Sequence, residues 1–253
     1  MNYNLNKIIL NELNNTVIFD NKNYYNYKEV DFYFKKYDDT NKLVVSFHAA
    51  DPGQSLKPIF RGFNWNYNIL CISDKLLELY PELNLTWYLS PIKSNIMDTY
   101  IEIIGLFNSK YENIIFTGSS GGGFPSLLFS CYFYKKALIF NSQIYLENYY
   151  SLLDKIINTL NVNKNELTIT NIEEIITKYG KPYVAFIYCN SNDKHHYEKH
   201  YLPFNKFIND NNLNINFKLI EFKGAEPVHP QTDHHILLPT EKTIDKSIEE
   251  LFN

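Results

Sequence analysis

The sequence predicts a doubly wound α/β fold built on a mostly parallel sheet. Three observations carry that prediction. Short apolar runs rich in β-branched and aromatic residues alternate along the chain with segments whose apolar residues recur at helical spacing. Runs such as Leu43-Val44-Val45-Ser46-Phe47 are apolar almost throughout, as expected of strands covered on both faces. Finally, Ile114-Ile115-Phe116-Thr117 stops at Gly118-Ser119-Ser120-Gly121-Gly122-Gly123, and an apolar helical pattern (Phe124, Leu127, Leu128, Cys131) begins at once.

Taken in order, Val17-Ile18-Phe19 and residues 29–34 read as opening antiparallel strands of a mixed sheet. Residues 43–47 and 67–74 are buried strands, and Thr86-Trp87-Tyr88-Leu89-Ser90 is a short aromatic segment before Pro91. Tyr100, Ile101, Ile103, Ile104 and Phe107 mark a crossover helix over 97–107. Beyond the glycine-rich turn, residues 137–140 form another buried strand, and Asn141-Ser142-Gln143 caps the segment after it. Two helical patterns, 145–160 and 172–179, make 144–180 a helical insert. Residues 183–188 and 216–222 are the last strands, and 240–251 is a closing amphipathic helix. No internal repeat or linker tract interrupts the 253 residues, a length usual for one α/β domain, so the whole of 1–253 is expected to form a single domain.

Bulk composition narrows the partners. A net charge of −4 and a single arginine, Arg61, leave no basic footprint for nucleic acid. No apolar run reaches the roughly 20 residues of a membrane span, and the N-terminus lacks the apolar core of a signal peptide. Three widely spaced cysteines, Cys71, Cys131 and Cys189, suit reduced buried thiols. The expected location is cytoplasmic.

The chemistry concentrates at Gly118-Ser119-Ser120-Gly121-Gly122, which reads as G-x-S-x-G, the nucleophile-elbow pattern. Ser120 is the candidate nucleophile. Gly118 and Gly122 lack a Cβ, so strand and helix can approach closely around it, and the helix start aims backbone N–H groups at a developing anion. A glycine-rich turn that merely packs or cradles a phosphate is the plainer alternative. With the chain order nucleophile, acid, histidine, Asp193 is the carboxylate expected in the loop after the penultimate strand. The base is sought among His229, His234 and His235, between the last strand and the final helix. The pair next to the helix is better placed than His229. His235 is preferred narrowly by its distance to Pro239, and His234 stays open. Backbone amides of Gly121 and Ala49 are the expected oxyanion donors. Ser119 and His48 are candidate substrate contacts, with a backbone-satisfied loop histidine as the other reading of His48. A competing metal reading uses Asp193, His195, His196 and His200, since His196 and His200 share a helix face. Glu198 is out of register for H-E-x-x-H, and no metal is expected.

Thr117-Gly118-Ser119-Ser120-Gly121-Gly122-Gly123, Phe140-Asn141-Ser142-Gln143 and Cys189-Asn190-Ser191-Asn192-Asp193 together resemble the α/β-hydrolase-like proteins of bacterial capsule and surface-glycan loci, among them the capsule O-acetyltransferase type of meningococcal serogroup A. The likeness runs from Thr117 onward in separated motifs and is looser before. Two departures stand out: no Gly precedes the terminal histidine, where the family has Gly-Gly-His, and Ser142 replaces a common proline. The resemblance implies an α/β-hydrolase-like doubly wound, mostly parallel sheet with a small helical cap insert at 144–180. It further implies acyl transfer through acetyl-Ser120, with acetyl-CoA as a small-molecule acyl donor that is not held as a bound cofactor, and a carbohydrate acceptor. A carboxylesterase or deacetylase with the same triad is the alternative, and a non-catalytic glycan-binding protein is a third. Whether the chain forms a homo-oligomer is left open.

Overall fold

The structure, a computed structural model, describes residues 6–7, 23–51, 60, 65–224 and 238–253. Among these, nine strands form one sheet: β1 (Asn6–Lys7), β2 (Tyr24–Tyr27), β3 (Val30–Lys35), β4 (Lys42–Phe47), β5 (Asn68–Ile72), β6 (Asn113–Ser119), β7 (Lys136–Phe140), β8 (Val184–Asn190) and β9 (Phe217–Phe222). The spatial order is β1-β2-β3-β5-β4-β6-β7-β8-β9. From β5 to β9 all neighbours are parallel, while β3 runs antiparallel to both β2 and β5. The predicted strand at 17–19 lies outside the described residues. The hairpin partner of β3 is β2, and Lys28 and Glu29 turn between them at φ 45° and 67°. A turn of this kind usually advertises itself with Asn-Gly or Asp-Gly, which this sequence lacks.

The helices are α1 (Lys75–Leu79), α2 (Ile96–Asn108), α3 (Gly123–Tyr132), α4 (Tyr150–Leu160), α5 (Ile172–Tyr179), α6 (Lys194–His196), α7 (Leu202–Asp210) and α8 (Glu241–Phe252). Strand residues alternate between two apolar layers, as the period of two requires. Leu43, Val45, Ile114, Phe116, Ala137 and Ile139 pack with α2, α3 and the 144–180 insert. Val44, Ile115, Leu138 and Phe186 face the other way, onto Ile244, Ile248, Leu251 and Phe252 of α8. Both faces are covered, which is why the central runs are apolar at nearly every position. Truncating one of these buried side chains, for instance Ile248→Ala, costs roughly 2–5 kcal/mol. Cys71, Cys131 and Cys189 are free and buried. Burial pushes the first two thiols up to about 12 and raises the third as well.

The topology fixes where a site belongs. After β4 the chain moves outward to β5, then returns to lay β6 on the opposite side of β4. The order therefore reverses between β4 and β6, and ligands of open α/β sheets bind beyond the carboxyl ends of strands at such a reversal. Phe47 at the end of β4 is level with Gly118 at the end of β6.

Candidate active site

Ser120 sits in the turn between β6 and α3, fully buried, at φ 50°. A non-glycine residue in the left-handed region marks strain, and the neighbouring glycines show how it is tolerated. A Cβ on Gly118 would lie 2.3 Å from the Gly122 carbonyl oxygen, and one on Gly122 would lie 2.4 Å from that of Phe47. The strand, the turn and the end of β4 touch backbone to backbone there.

Asn141, just past β7, is itself left-handed at φ 41°, a conformation asparagine tolerates well. Its Oδ1 accepts from the Asn190 amide of β8 at 2.8 Å, which ties the ends of β7 and β8 together. The turn swings Gln143 over the nucleophile. The Gln143 amide donates to the Ser120 carbonyl at 3.0 Å, and its side-chain Nε2 donates to Ser120 Oγ at 3.1 Å. Asn141-Ser142-Gln143 is thus no simple cap for the next segment; its glutamine reaches the candidate nucleophile.

The other end of Gln143 is held by Trp87, whose Nε1–H donates to Oε1 at 2.6 Å. Trp87 and Tyr88 are consecutive left-handed residues, at φ 53° and 58°. Asp74 braces them, accepting from the Thr86 hydroxyl at 2.5 Å, the Tyr88 amide at 3.0 Å and the Leu76 amide at 3.2 Å. Burial pushes the Asp74 carboxyl up to about 6, against the pull of those hydrogen bonds. The Tyr88 hydroxyl donates to the Ile72 carbonyl at 2.7 Å and accepts from the His48 amide at 3.3 Å, linking the ends of β5 and β4.

Asp193 lies three residues beyond β8 and is buried. Its carboxylate accepts from Nδ1–H of His196 at 2.7 Å and from the His196 amide at 3.3 Å. The helical run continues from α6 through a π-turn, Tyr197–Tyr201, into α7. With hydrogen bonds spanning five residues, neighbours at i+4 and i+5 both come round to one side. The rings of His196 and His200 are 5.8 Å apart, those of His195 and His200 5.4 Å, and Tyr149 packs on His195 and His200 at 4.6 and 5.5 Å. Tyr149 also lies 6.0 Å from Trp87, so the 144–180 insert meets the site through this tyrosine. His200 Nδ1 accepts from the amides of Ile144 and Tyr145, which places the ring proton on Nε2. Burial, with the neighbouring imidazoles, pushes its pKa down to about 2. A ring committed in this way has no lone pair for a metal, and no group of three His, Cys, Asp or Glu among the described residues is arranged to hold one.

Gly121 follows Ser120 in the turn, and Ser119 ends β6, half-buried. Ala49 follows His48 beyond β4, and it is the carbonyls of Phe47 and His48 that lie against Gly122. His48 is buried and donates Nδ1–H to the Ala49 carbonyl at 2.7 Å. His229, His234 and His235 lie outside the described residues. Gly224, the last described residue before them, is held at the Asp193 loop: its amide donates to Asn190 Oδ1 at 2.9 Å, and its carbonyl accepts from Asn192 Nδ2 at 2.5 Å. A cavity of about 850 Å³ opens on the flank, between Met97, Leu128, Thr170 and Tyr179; Ser120, Gln143 and Asp193 are not among its lining residues.

No protein-family model and no curated protein matches the sequence. Solved structures do. The capsule O-acetyltransferase of Neisseria meningitidis serogroup A, in complex with caged gadolinium, is 18% identical, with a TM-score of 0.61 over 89% of this chain and 93% of that one. A histidine-to-alanine mutant of that enzyme in complex with CoA gives 19% and 0.59 over 89% and 94%. A lipase/esterase from Lactobacillus plantarum gives 10% and 0.55 over 91% and 98%. Sheet order, elbow and neighbours agree: the chain has the α/β-hydrolase fold.

Proposed function

We propose that this protein is a serine O-acetyltransferase that modifies a bacterial capsular or surface polysaccharide through an acyl-Ser120 intermediate. The observation that carries the reading is the left-handed, buried Ser120 at the β4/β6 reversal, with Asp193 beyond the end of β8, two strands away. In this reading Ser120 Oγ attacks the acyl carbonyl carbon while an imidazole takes its proton and returns it to the leaving group. His235, or else His234, supplies that imidazole, and Asp193 orients it; Gly224, clamped at the Asp193 loop, starts the stretch that carries both. Amides of Gly121 and Ala49 hold the oxyanion, an effect worth a few kcal/mol per donor. The insert at 144–180 acts as the cap, with Tyr149 as its contact. The CoA-bound neighbour of the same fold supports acetyl-CoA as donor substrate.

Hydrolysis is the second reading, favoured by the esterase among the neighbours. It shares the first half-reaction and differs only in the acceptor. The test is intact mass after incubation with acetyl-CoA or p-nitrophenyl acetate. Wild type gains one acetyl group, and Ser120→Ala gains none. Adding polysaccharide then discharges the acetyl group to sugar in a transferase, whereas prompt loss to water without sugar identifies an esterase. Alanine variants of His234, His235 and His196 identify the base. Loss confined to His196→Ala would remove the terminal histidines from the mechanism, an outcome to which the 2.7 Å Asp193–His196 bond gives substance.

A further inference from the structure

We propose that the Gln143 side-chain amide is a catalytic hydrogen-bond donor to the oxygen of Ser120, that it acts chiefly when that oxygen leaves the acyl group, and that Trp87 is the positioning residue that keeps the donor end turned toward it. The inference rests on the serine reading above and adds a residue outside the triad and the oxyanion donors named there.

A carboxamide can face a neighbour with either end, and only its hydrogen-bond network decides which. Here the decision is forced. Indole Nε1–H donates and cannot accept, so at 2.6 Å it must meet Oε1 of Gln143. The Nε2 donor then faces Ser120 Oγ, at 3.1 Å. The main chain holds the same geometry, since the Gln143 amide is bonded to the Ser120 carbonyl at 3.0 Å. All three residues are buried, Trp87 and Ser120 completely and Gln143 to 2% exposure. In such surroundings a donor already aimed at an oxygen stabilises charge there without reorganising at the moment of reaction.

The two half-reactions use this donor unequally. In acylation Oγ must offer an electron pair to the carbonyl carbon, and a donor on Oγ competes for that pair. In transfer the acceptor oxygen bonds to the carbonyl carbon and its proton passes to the imidazole. The C–Oγ bond then breaks, Oγ leaves with the electron pair, and it recovers a proton from the imidazole. The Gln143 N–H meets the charge that returns to Oγ and lowers that barrier. Discharge of acetyl-Ser120 therefore depends on Gln143 more than its formation does.

The experiment compares the rate of acetyl-enzyme formation with the rate of its discharge, by rapid-quench intact mass with p-nitrophenyl acetate, for wild type, Gln143→Leu and Trp87→Phe. Thermal melts show which variants are folded. Gln143→Leu should slow discharge on the order of tenfold to a hundredfold with a much smaller change in formation, so acetyl-enzyme accumulates. Trp87→Phe retains the glutamine but frees its amide, and should shift the same ratio in the same direction by less. Equal slowing of both steps, or an unchanged ratio in both variants, would overturn the proposal while leaving Ser120 as nucleophile. Wild-type protein that never carries an acetyl group on Ser120 would remove the serine reading and this one with it.

Discussion

Ser120 and the Trp87-Tyr88 pair are both non-glycine residues in the left-handed region, and they are held there by opposite means. At Ser120 the means is space: glycines on both sides let three backbone segments touch. At Trp87-Tyr88 the residues are bulky, and a buried carboxylate twelve positions before Thr86 holds them by hydrogen bonds to Thr86 and Tyr88. Strain of this kind costs roughly 1–3 kcal/mol per residue. The first solution tolerates no added atom. The second is graded and depends on the state of an acid. Gln143 joins them, with one end on Trp87 and the other on Ser120.

The sharpest way to break the contrast is Gly122→Val. Its Cβ meets backbone, not a movable side chain, and the loss should be roughly 4 kcal/mol or failure to fold, read by denaturant unfolding. A loss under about 1 kcal/mol would show that the close approach is dispensable. Asp74→Ala should cost about 3 kcal/mol, because a buried amide and a hydroxyl lose their acceptor. It should also slow turnover, by releasing Trp87.

The pH dependence separates the two turns more finely. With Asp74 raised from 3.8 to about 6, the folded state holds a proton that the unfolded chain has released. Its contribution is therefore fully present below pH 3.8 and is lost as pH rises through about 6, a decline of about 2–3 kcal/mol. The stability of wild type relative to Asp74→Asn should fall by that amount between pH 4 and 6.5, and a flat difference would assign Asp74 an ordinary pKa. His200 acts with the opposite sign. Its pKa is held down to about 2, so the fold loses stability as pH drops below about 6.5, where the unfolded imidazole takes up a proton. Since both proteins carry His200, the comparison removes its effect. The smallest expected change is in Trp87→Phe, about 1 kcal/mol for one buried hydrogen bond, by thermal melt.

Legibility in the sequence divides along the same line. The elbow can be read because its solution is local: Gly118, Ser120 and Gly122 are written within five positions. Strands β4 to β8 and helix α2 are legible because burial on both faces, or on one stripe, leaves a period in the chain. Asp193 is placed by its position after β8, but its bond to His196 leaves no mark, since a capping aspartate and a triad aspartate look alike in sequence. The π-turn that gathers His195, His196 and His200 has no local signature, and a spacing of four suggests metal ligands instead. Gln143 reads as a cap because its partners, Trp87 and Ser120, stand 56 and 23 positions away. The Trp87-Tyr88 turn reads only as an aromatic segment, its brace lying on another element.

The three thiols have a consequence for any attempt to watch this chemistry. A thioester such as acetyl-CoA readily acylates an ionised cysteine, and such side reactions often obscure where an acyl group has landed. Here Cys71, Cys131 and Cys189 are all buried, and burial holds the ionisation of their thiols well above neutrality. An acyl adduct on the folded protein that survives neutral hydroxylamine but is released by alkaline hydroxylamine therefore reports on an oxygen, not on sulfur or a lysine nitrogen, and the native chain needs no cysteine removed before that assignment is made.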